Sequence, residues 1–168
     1  MSGSFSGVGA LYEGLLIALG ADHAGYELKE HLKAFLAERG AAIMDLGTDS
    51  TERVDYPWFC ARAARAVRDG KANFGLVVGG SGQGEQIAAN KVHGVRAALC
   101  PDEYTARLAR AHNDANVIAL GARVVPPAYA EAILTVFLST AFEGERHVAR
   151  LRQIADIERE EAQLSLGQ

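Results

Sequence analysis

The residues best placed to do chemistry follow one short apolar run, residues 76–78. This Leu-Val-Val run is predicted to be a buried parallel strand, and an Ala-rich helix is predicted from Glu85. Between them lie four glycines: Gly79, Gly80, Gly82 and Gly84. Such a strand-turn-helix directs several backbone N–H groups at one point, which suits an anion or a developing oxyanion. Because the helix dipole favours a carboxylate there, we expect Glu85 to stay ionised near neutral pH.

Other uses of a glycine-rich turn can be compared with the residues around it. A P-loop requires Gly-Lys-Ser/Thr, but Gly84 is followed by Glu85 and Gln86. A dinucleotide fingerprint requires G-x-G-x-x-G, whereas this turn reads G-S-G-Q-G. Asp102, about twenty residues further on, could imitate the ribose-binding acid of that motif, but the helix of residues 85–91 has only about two turns. A turn whose glycines serve packing alone remains an alternative.

Length and composition limit the classes of protein that can contain this turn. A chain of 168 residues predicts one domain with its own core. Hydrophobic residues make up 49% and the mean hydropathy is +0.01, as in soluble globular proteins. The formal charge of −4 argues against nucleic acid or an anionic membrane as a partner. Any anion site must therefore be local.

The chain ends and the cysteines favour a cytoplasmic protein. Residues 1–14 are rich in Ser and Gly and are predicted to be a loose extension, not a signal peptide, before a single domain of residues 15–168. No apolar run approaches the length of a transmembrane helix. Cys60 and Cys100 form neither a metal-ligand spacing nor a disulfide framework, and both fit buried thiols in a reducing compartment.

Strand and helix patterns alternate along the rest of the chain. Strands are predicted at residues 15–19, 42–46, 76–78, 95–99 and 117–120. Helices are predicted at residues 24–39, 57–69, 85–91, 102–111, 126–140 and about 145–163, the fourth of them capped by Asp102. This cadence predicts an α/β fold: a three-layer α/β/α sandwich around a parallel, five-stranded, Rossmann-like sheet, with a C-terminal helix.

In such a sheet, ligands bind beyond the carboxyl ends of the strands, so polar residues that follow strands should converge. Asp22 and His23 follow the first strand, Tyr56 precedes the second helix, and Arg123 follows the fifth strand. Asp22 could instead only cap the next helix. Likewise, the segment 112–114 (His-Asn-Asp) could be a plain helix end, and the cationic residues 146–150 could form a solvated helix face.

A resemblance covers residues of about 16–157. It rests on the following segments, in chain order: 20–25 (GADHAG), 54–57 (VDYP), 80–82 (GSG), 87–92 (IAANKV), 94–99 (GVRAAL), 112–117 (HNDANV), 120–123 (LGAR) and 142–144 (FEG). Together these resemble the type B ribose-5-phosphate isomerases, part of a larger sugar-phosphate isomerase family that includes galactose-6-phosphate and allose-6-phosphate isomerases.

The resemblance implies an aldose–ketose isomerase that works through a cis-enediol, without a metal or a cofactor. Many members use as base a cysteine immediately before the Gly-Ser-Gly segment, but Gly79 occupies that position here. The chain resembles the other subgroup, in which a glutamate at the start of the following helix is the base, and Glu85 has that place. Ser81 and the loop amides would then face the enediolate.

The resemblance also implies roles for the remaining polar residues. His112 would open the sugar ring, as an imidazole can exchange protons near neutral pH. Sugar hydroxyls would be bound by Asp22, Tyr56 and Asn113. The phosphate would be bound by His23 and Arg123 of one subunit and by Arg146, His147 and Arg150 of the other, in a homodimer or a dimer of dimers with shared sites.

We therefore expect an isomerase of a small sugar phosphate, with D-ribose 5-phosphate and D-ribulose 5-phosphate as the leading pair. An isomerase of a tetrose or hexose phosphate is the alternative within that class. A sugar-phosphate binding protein without catalysis is the alternative outside it, although a mere binder has no need of a carboxylate beside an anion site. The spacing of the loop disfavours a nicotinamide oxidoreductase.

Overall fold

The structure, a computed structural model, describes residues 11–166. Its strands are β1 (Leu16–Ala21), β2 (Ala42–Asp45), β3 (Phe74–Gly79), β4 (Ala97–Leu99) and β5 (Val117–Gly121). Its helices are α1 (Tyr26–Glu38), α2 (Pro57–Arg68), α3 (Gln83–Ala89), α4 (Glu103–Asn113), α5 (Pro127–Ser139) and α6 (Arg146–Leu166). Among these described residues, no helix combines the length and apolarity that crossing a bilayer requires.

The strands form one parallel sheet in the order β2-β1-β3-β5-β4. The chain runs outward from β1 to β2 and then crosses to β3 on the other side of β1. Such a reversal opens a crevice at the carboxyl ends of β1 and β3, where ligands bind in open α/β sheets. The ends of the central strands are level, because Ala21 pairs with Val78 and Gly79 pairs with Gly121.

Helices cover both faces of the sheet, which confirms the predicted three-layer sandwich. On one face, α1 and α5 bury large side chains, among them Leu32, Leu36 and Phe137. On the other face, α2 contributes mostly small ones, such as Ala63 and Ala64. Small side chains let α2 lie close to the sheet beneath the crevice.

Several element boundaries differ from the prediction for local reasons. β1 continues through Gly20 and Ala21, because small residues are accommodated in a strand that is buried on both faces. β4 begins at Ala97 instead of residue 95, because the backbone N–H of Arg96 donates to Asn116 Oδ1 at 2.8 Å. The predicted cap of α4 is confirmed: Asp102 Oδ1 accepts from the backbone N–H of Thr105 at 2.7 Å.

The N-terminal boundary needs a correction. Residues 1–14 were expected to be a loose extension; residues 1–10 lie outside the described part, but Tyr12 is 3% exposed and belongs to the core. Its N–H donates to the Arg39 carbonyl at 2.9 Å, and its hydroxyl lies 3.2 Å from Thr135 Oγ1. The packed part of the chain therefore begins before residue 15.

One side chain completes the outer edge of the sheet. β4 is an edge strand, and the N–H and carbonyl of Ala97 point away from β5. Asn90, which follows α3, accepts from that N–H through Oδ1 at 2.8 Å and donates through Nδ2 to that carbonyl at 2.9 Å. The Asn90 amide thus satisfies both backbone groups of Ala97, so it ties the end of α3 to the edge of the sheet.

Candidate active site

A cleft of about 400 Å³ lies at the carboxyl ends of β1, β3 and β5. This volume is within the usual range for small-molecule sites. Its lining includes most of the sequence-predicted site residues of one chain: Asp22, His23, Tyr56, Gly80, Ser81, Gly84, Glu85 and Arg123. Groups from three strand ends and the loop before α2 thus converge at the crevice that the strand order predicts.

Glu85 lies in the first turn of α3 and is only 4% exposed. Gly82 has a φ of 79°, in the left-handed region, and serves as the N-cap residue from which α3 begins at Gln83, two residues before the predicted start. This earlier start turns the Glu85 carboxylate back toward the end of β3. There it fills the space beside Gly79, where a Cβ would overlap the carboxylate.

The environment of Glu85 raises the pKa of its carboxyl group above the ordinary value. Burial is the largest cause, and the negative charge of Asp22 acts in the same direction. The backbone N–H groups of Glu85 and Gly82 oppose the shift. The expectation from the helix dipole alone was therefore incomplete, because desolvation outweighs it. A carboxylate with an elevated pKa accepts protons more readily, as a general base must.

Asp22 shapes the turn after β1. Its Oδ1 accepts from the backbone N–H groups of Ala24 and Gly25 at 3.0 and 3.1 Å. α1 begins only at Tyr26, so Asp22 closes the turn that precedes the helix instead of capping the helix itself. Asp22 is 7% exposed and lines the cleft. Its other oxygen, Oδ2, is not used by the turn.

His23 is fixed by the loop that carries Tyr56. Its Nδ1 lies 3.0 Å from the Val54 carbonyl oxygen and 3.3 Å from the Val54 nitrogen. With Nδ1 engaged by this backbone, Nε2 is the ring nitrogen available to a ligand. Tyr56 packs on Gly84 so closely that a Cβ at this glycine would lie 2.5 Å from the tyrosine hydroxyl oxygen. The glycine at this position is therefore required for packing against Tyr56.

Arg123 and Ser81 occupy the rim on the β5 side. The backbone N–H of Arg123 donates to the Gly80 carbonyl at 3.0 Å, and its guanidinium group lies against Gly80. Ser81 is exposed, and its Oγ accepts from the backbone N–H of Gln83 at 3.3 Å. A cation and a hydroxyl therefore lie beside the glycine turn.

The other predicted site residues do not line this cleft. One of them, Gly82, belongs to the glycine turn itself as the N-cap residue of α3. The remaining five form a second group: His112, Asn113, Arg146, His147 and Arg150. The rings of His112 and His147 stack with centroids 4.2 Å apart and an angle of 14° between their planes. Asn113 ends α4 and lines a separate groove of about 470 Å³ beside β4 and α6. One chain therefore holds two separate halves of the predicted site.

Sequence reasoning assigned no role to Glu143, which belongs to this second group. Its Oε2 lies 3.7 Å from His112 Nε2 and 3.6 Å from His147 Nε2. The available signal was the spacing of four residues between Glu143 and His147, although Glu143 precedes α6 and is not part of that helix. No spacing pattern could have indicated the contact with His112, which lies on a different helix.

His147 is 3% exposed, and its pKa is lowered by burial and then by the positive neighbours His112, Arg146 and Arg150. The donor atoms of His112, Glu143 and His147 lie within 4.8 Å of one another, a spacing that could hold a metal ion. However, Arg146 Nε donates to His147 Nε2 at 3.3 Å, so the lone pair that a metal would need on that nitrogen is already engaged. This geometry suits a carboxylate-linked histidine pair in a cationic patch better than a chelate.

Comparison with known proteins identifies the family. The family model described as Ribose/Galactose Isomerase matches residues 17–154. The chain belongs to the ribose/galactose isomerase family. It is similar to the Escherichia coli (strain K12) protein named ribose-5-phosphate isomerase B, with 45% identity over 84% of this chain and 95% of that protein.

Solved structures in the ribose/galactose isomerase family share the fold. A structure of Clostridium thermocellum ribose-5-phosphate isomerase B superposes with a TM-score of 0.86 at 46% identity, covering 87% of this chain and 99% of that one. A structure of the Trypanosoma brucei type B enzyme gives 0.82 at 46% identity, covering 85% of this chain and 98% of that one. The resemblance and the Rossmann-like α/β fold predicted from the sequence are thereby confirmed.

The resemblance implies a cysteine base in part of the ribose/galactose isomerase family, so the burial and the pKa of the two thiols of this chain decide whether either could be a base. Cys60 and Cys100 are 0% and 1% exposed. Burial raises the pKa of Cys100 to about 12. The pKa of Cys60 is also raised strongly, first by burial and then by the charges of Glu85 and Asp22. Both thiols therefore stay protonated near neutral pH.

Proposed function

We propose that this protein is an aldose–ketose isomerase that interconverts D-ribose 5-phosphate and D-ribulose 5-phosphate. The observation that carries the proposal is the buried carboxylate of Glu85, with its raised pKa, beside a glycine turn at the topological switch of the sheet. Relatives named ribose-5-phosphate isomerase B, at 45 and 46% identity, support the choice of substrate.

The proposed chemistry is a proton transfer between neighbouring carbons. Glu85 removes the proton from C2 of the open-chain aldose, and the electrons of the C–H bond move to form a cis-enediolate whose charge rests on O1. Ser81 and the N–H groups of the turn that contains Gly80, Gly82 and Gly84 stabilise this oxygen. A proton then moves from O2 to O1, and Glu85 returns its proton to C1, which gives the ketose. No atom is gained or lost.

The cleft also supplies groups for the rest of the substrate. Asp22 and Tyr56 bind sugar hydroxyls, while His23 and Arg123 bind the phosphate. When His23 Nδ1 accepts the Val54 N–H, its Nε2 carries the hydrogen that a phosphate oxygen needs. The guanidinium of Arg123 adds a charge-assisted hydrogen bond.

The second group of residues completes the site from a neighbouring subunit, in a homodimer or a dimer of dimers. Two negative charges of a phosphate call for more cations than one cleft offers, and Arg146, His147 and Arg150 are clustered elsewhere on the chain. Because His112 stacks on His147, it must enter the neighbour's cleft together with them. Asn113 follows it in α4. Thus base and ring-opening imidazole come from different chains.

Other assignments have less support. An isomerase of a tetrose or hexose phosphate would use the same residues, and the length of the pocket beyond Tyr56 would decide between the sugars. A non-catalytic sugar-phosphate binding protein fits less well, because a buried carboxylate with a raised pKa gives no advantage in binding an anion. We also propose a cytoplasmic location, which the two free, buried cysteines support.

A substrate panel and one variant test this proposal. Aldose phosphates of four, five and six carbons are assayed for ketose formation, and D-ribose 5-phosphate should give the highest kcat/KM. Glu85→Gln should lower kcat by at least about 10²- to 10⁴-fold and abolish solvent deuterium exchange, while substrate still binds. Faster turnover of another sugar would replace the proposed substrate. Near-normal exchange in the variant would move the base to a different residue.

A further inference from the structure

One carboxylate oxygen lies at the edge of two stacked imidazoles, opposite an Nε2 atom of each. Glu143 Oε2 is 3.7 Å from His112 Nε2 and 3.6 Å from His147 Nε2, while the rings lie 4.2 Å apart. Glu143 itself is accessible, with its side chain 57% exposed, whereas His147 is buried. The carboxylate is thus placed to act on His112, which has a half-buried ring at the end of α4.

Backbone contacts hold the two partners in place. The N–H of Glu143 donates to the Ala111 carbonyl at 2.9 Å, which ties the segment before α6 to the last turn of α4. The buried ring of His147 sets the plane of the His112 ring by stacking. Glu143 then sets which nitrogen of that ring carries hydrogen, because a carboxylate opposite Nε2 favours the Nε2–H tautomer.

We propose that Glu143 is a positioning residue for His112 in opening the sugar ring, an inference that rests on the proposed function. With hydrogen on Nε2, Nδ1 of His112 is left as the proton acceptor for the substrate. Nδ1 takes the proton of the anomeric hydroxyl, the bond from C1 to the ring oxygen breaks, and the ring oxygen receives a proton from the imidazolium. His112 ends in the state in which it began, and Glu143 stabilises the transient imidazolium.

A difference between the two sugars separates ring opening from isomerisation. D-Ribose 5-phosphate closes into a five-membered ring, but D-ribulose 5-phosphate stays open, because its O5 is esterified and cannot close the corresponding ring. Solvent deuterium exchange into ribulose 5-phosphate needs only the enediolate and therefore only Glu85. Net conversion of ribose 5-phosphate needs ring opening as well.

Glu143→Leu removes the carboxylate beside His112 Nε2, and Glu143→Gln keeps an oxygen of similar reach without the negative charge. We expect kcat/KM for ribose 5-phosphate to fall about 10-fold in the Leu variant and less in the Gln variant, the low end of what an orienting carboxylate contributes. Exchange into ribulose 5-phosphate should stay within about twofold of wild type. Glu145→Leu, an exposed position in the same segment, is the matched control and should change neither rate.

An NMR measurement tests the same idea without turnover. The ¹⁵N shifts of the His112 ring should report the Nε2–H tautomer in the wild-type protein and a mixture of tautomers in Glu143→Leu. An unchanged tautomer would overturn the proposal, as would a parallel loss of conversion and exchange, which would mean general damage to the site. Failure of the wild-type protein to isomerise any sugar phosphate would instead refute the proposed function, and this inference with it.

Discussion

The carboxylate of Glu85 occupies the space beside the Cα of Gly79, so the two positions cannot both place a side chain there. Gly79 ends β3, and Glu85 reaches back to it from the first turn of α3. By the resemblance, other members of the family place a cysteine base at the position of Gly79. In this chain, the proposed base Glu85 approaches nearly the same point from the helix, and the absence of a side chain at Gly79 makes that possible.

Gly79→Ala should therefore impair catalysis through Glu85. The new methyl group would push the carboxylate out of its place, and a displacement of about 1 Å can cost on the order of 10²-fold in rate. We expect kcat to fall by about that factor with a smaller change in KM, measured by ketose formation.

A double variant is the control for this prediction. If Gly79→Ala acts only through the base, then adding it to Glu85→Gln should cause little further loss. Additive losses would show that the alanine damages the turn by another route, and an active single variant would show that the carboxylate has room to move.

The raised pKa of Glu85 predicts the acid side of the pH profile. A base must be deprotonated, so kcat/KM should be lost as the pH falls through the pKa of Glu85. The negative charge of Asp22 contributes to the raised pKa, after burial, so Asp22→Asn should move the acid limb to lower pH. The variant should also bind substrate less well, which lowers kcat/KM at every pH. The pH at which kcat/KM falls to half of its maximum can still be determined.

Asp55→Asn is the matched control, because Asp55 is exposed and does not line the cleft. Its acid limb should coincide with that of the wild-type protein. A limb that stays in place or moves upward in Asp22→Asn would mean that Asp22 does not influence the catalytic base.

The buried thiols should be dispensable for catalysis. Cys100 lies at the end of β4, near the ligand-bearing rim, but its pKa of about 12 leaves it protonated at working pH. Cys100→Ser should retain activity within about twofold, and iodoacetamide should inactivate the wild-type protein slowly. A different result would point to a thiolate base: modification of one Cys100 per chain that inactivates the protein and that substrate prevents.

The division of the site between subunits can be tested by mixing two variants that are each nearly inactive at low substrate concentration. Glu85→Gln should lower kcat and Arg150→Ala should raise KM strongly, because the first acts on the proton and the second on the phosphate. In a mixed dimer, one pocket collects both defects and the other receives an intact Glu85 and an intact Arg150. With random pairing, about half of the dimers are mixed, so about a quarter of wild-type activity should return on co-expression.

The control for this experiment is each variant expressed alone, which should show no recovery at any protein concentration. A verified mixed dimer that stays inactive would place Glu85 and Arg150 in the same subunit's site and contradict the shared pocket.

The hydrophobic pattern of the sequence was sufficient to predict the fold, but it predicted the ends of the strands and helices less accurately. Apolar runs located all five strands, and Asp102 marked the start of α4 correctly. The runs did not include Gly20 and Ala21, since residues without large side chains leave no hydrophobic signal although they pair in the sheet. The start of α3 was also missed, because it depends on the left-handed conformation of Gly82.

The candidate site divides in the same way. Polar residues directly after strands converge as expected, because parallel strands bring their carboxyl ends to one edge. The burial of Glu85 could not be read from the sequence, because it depends on how α3 meets β3. The contact between Glu143 and His112 could not be read from the sequence either. It forms only when α5 and the segment that follows it fold back beside α4.

The bond pair between Asn90 and Ala97 has a consequence beyond the local fold. An open edge of a parallel sheet invites a strand from another copy, which is a common route to aggregation. The Asn90 amide occupies both outward backbone groups of Ala97, and Gln86 Nε2 also donates to that carbonyl at 3.3 Å, so Ala97 offers no free backbone group to an incoming strand. The segment that borders the cleft with its glycine turn thus also occupies, at its other end, backbone groups on the open edge of the sheet.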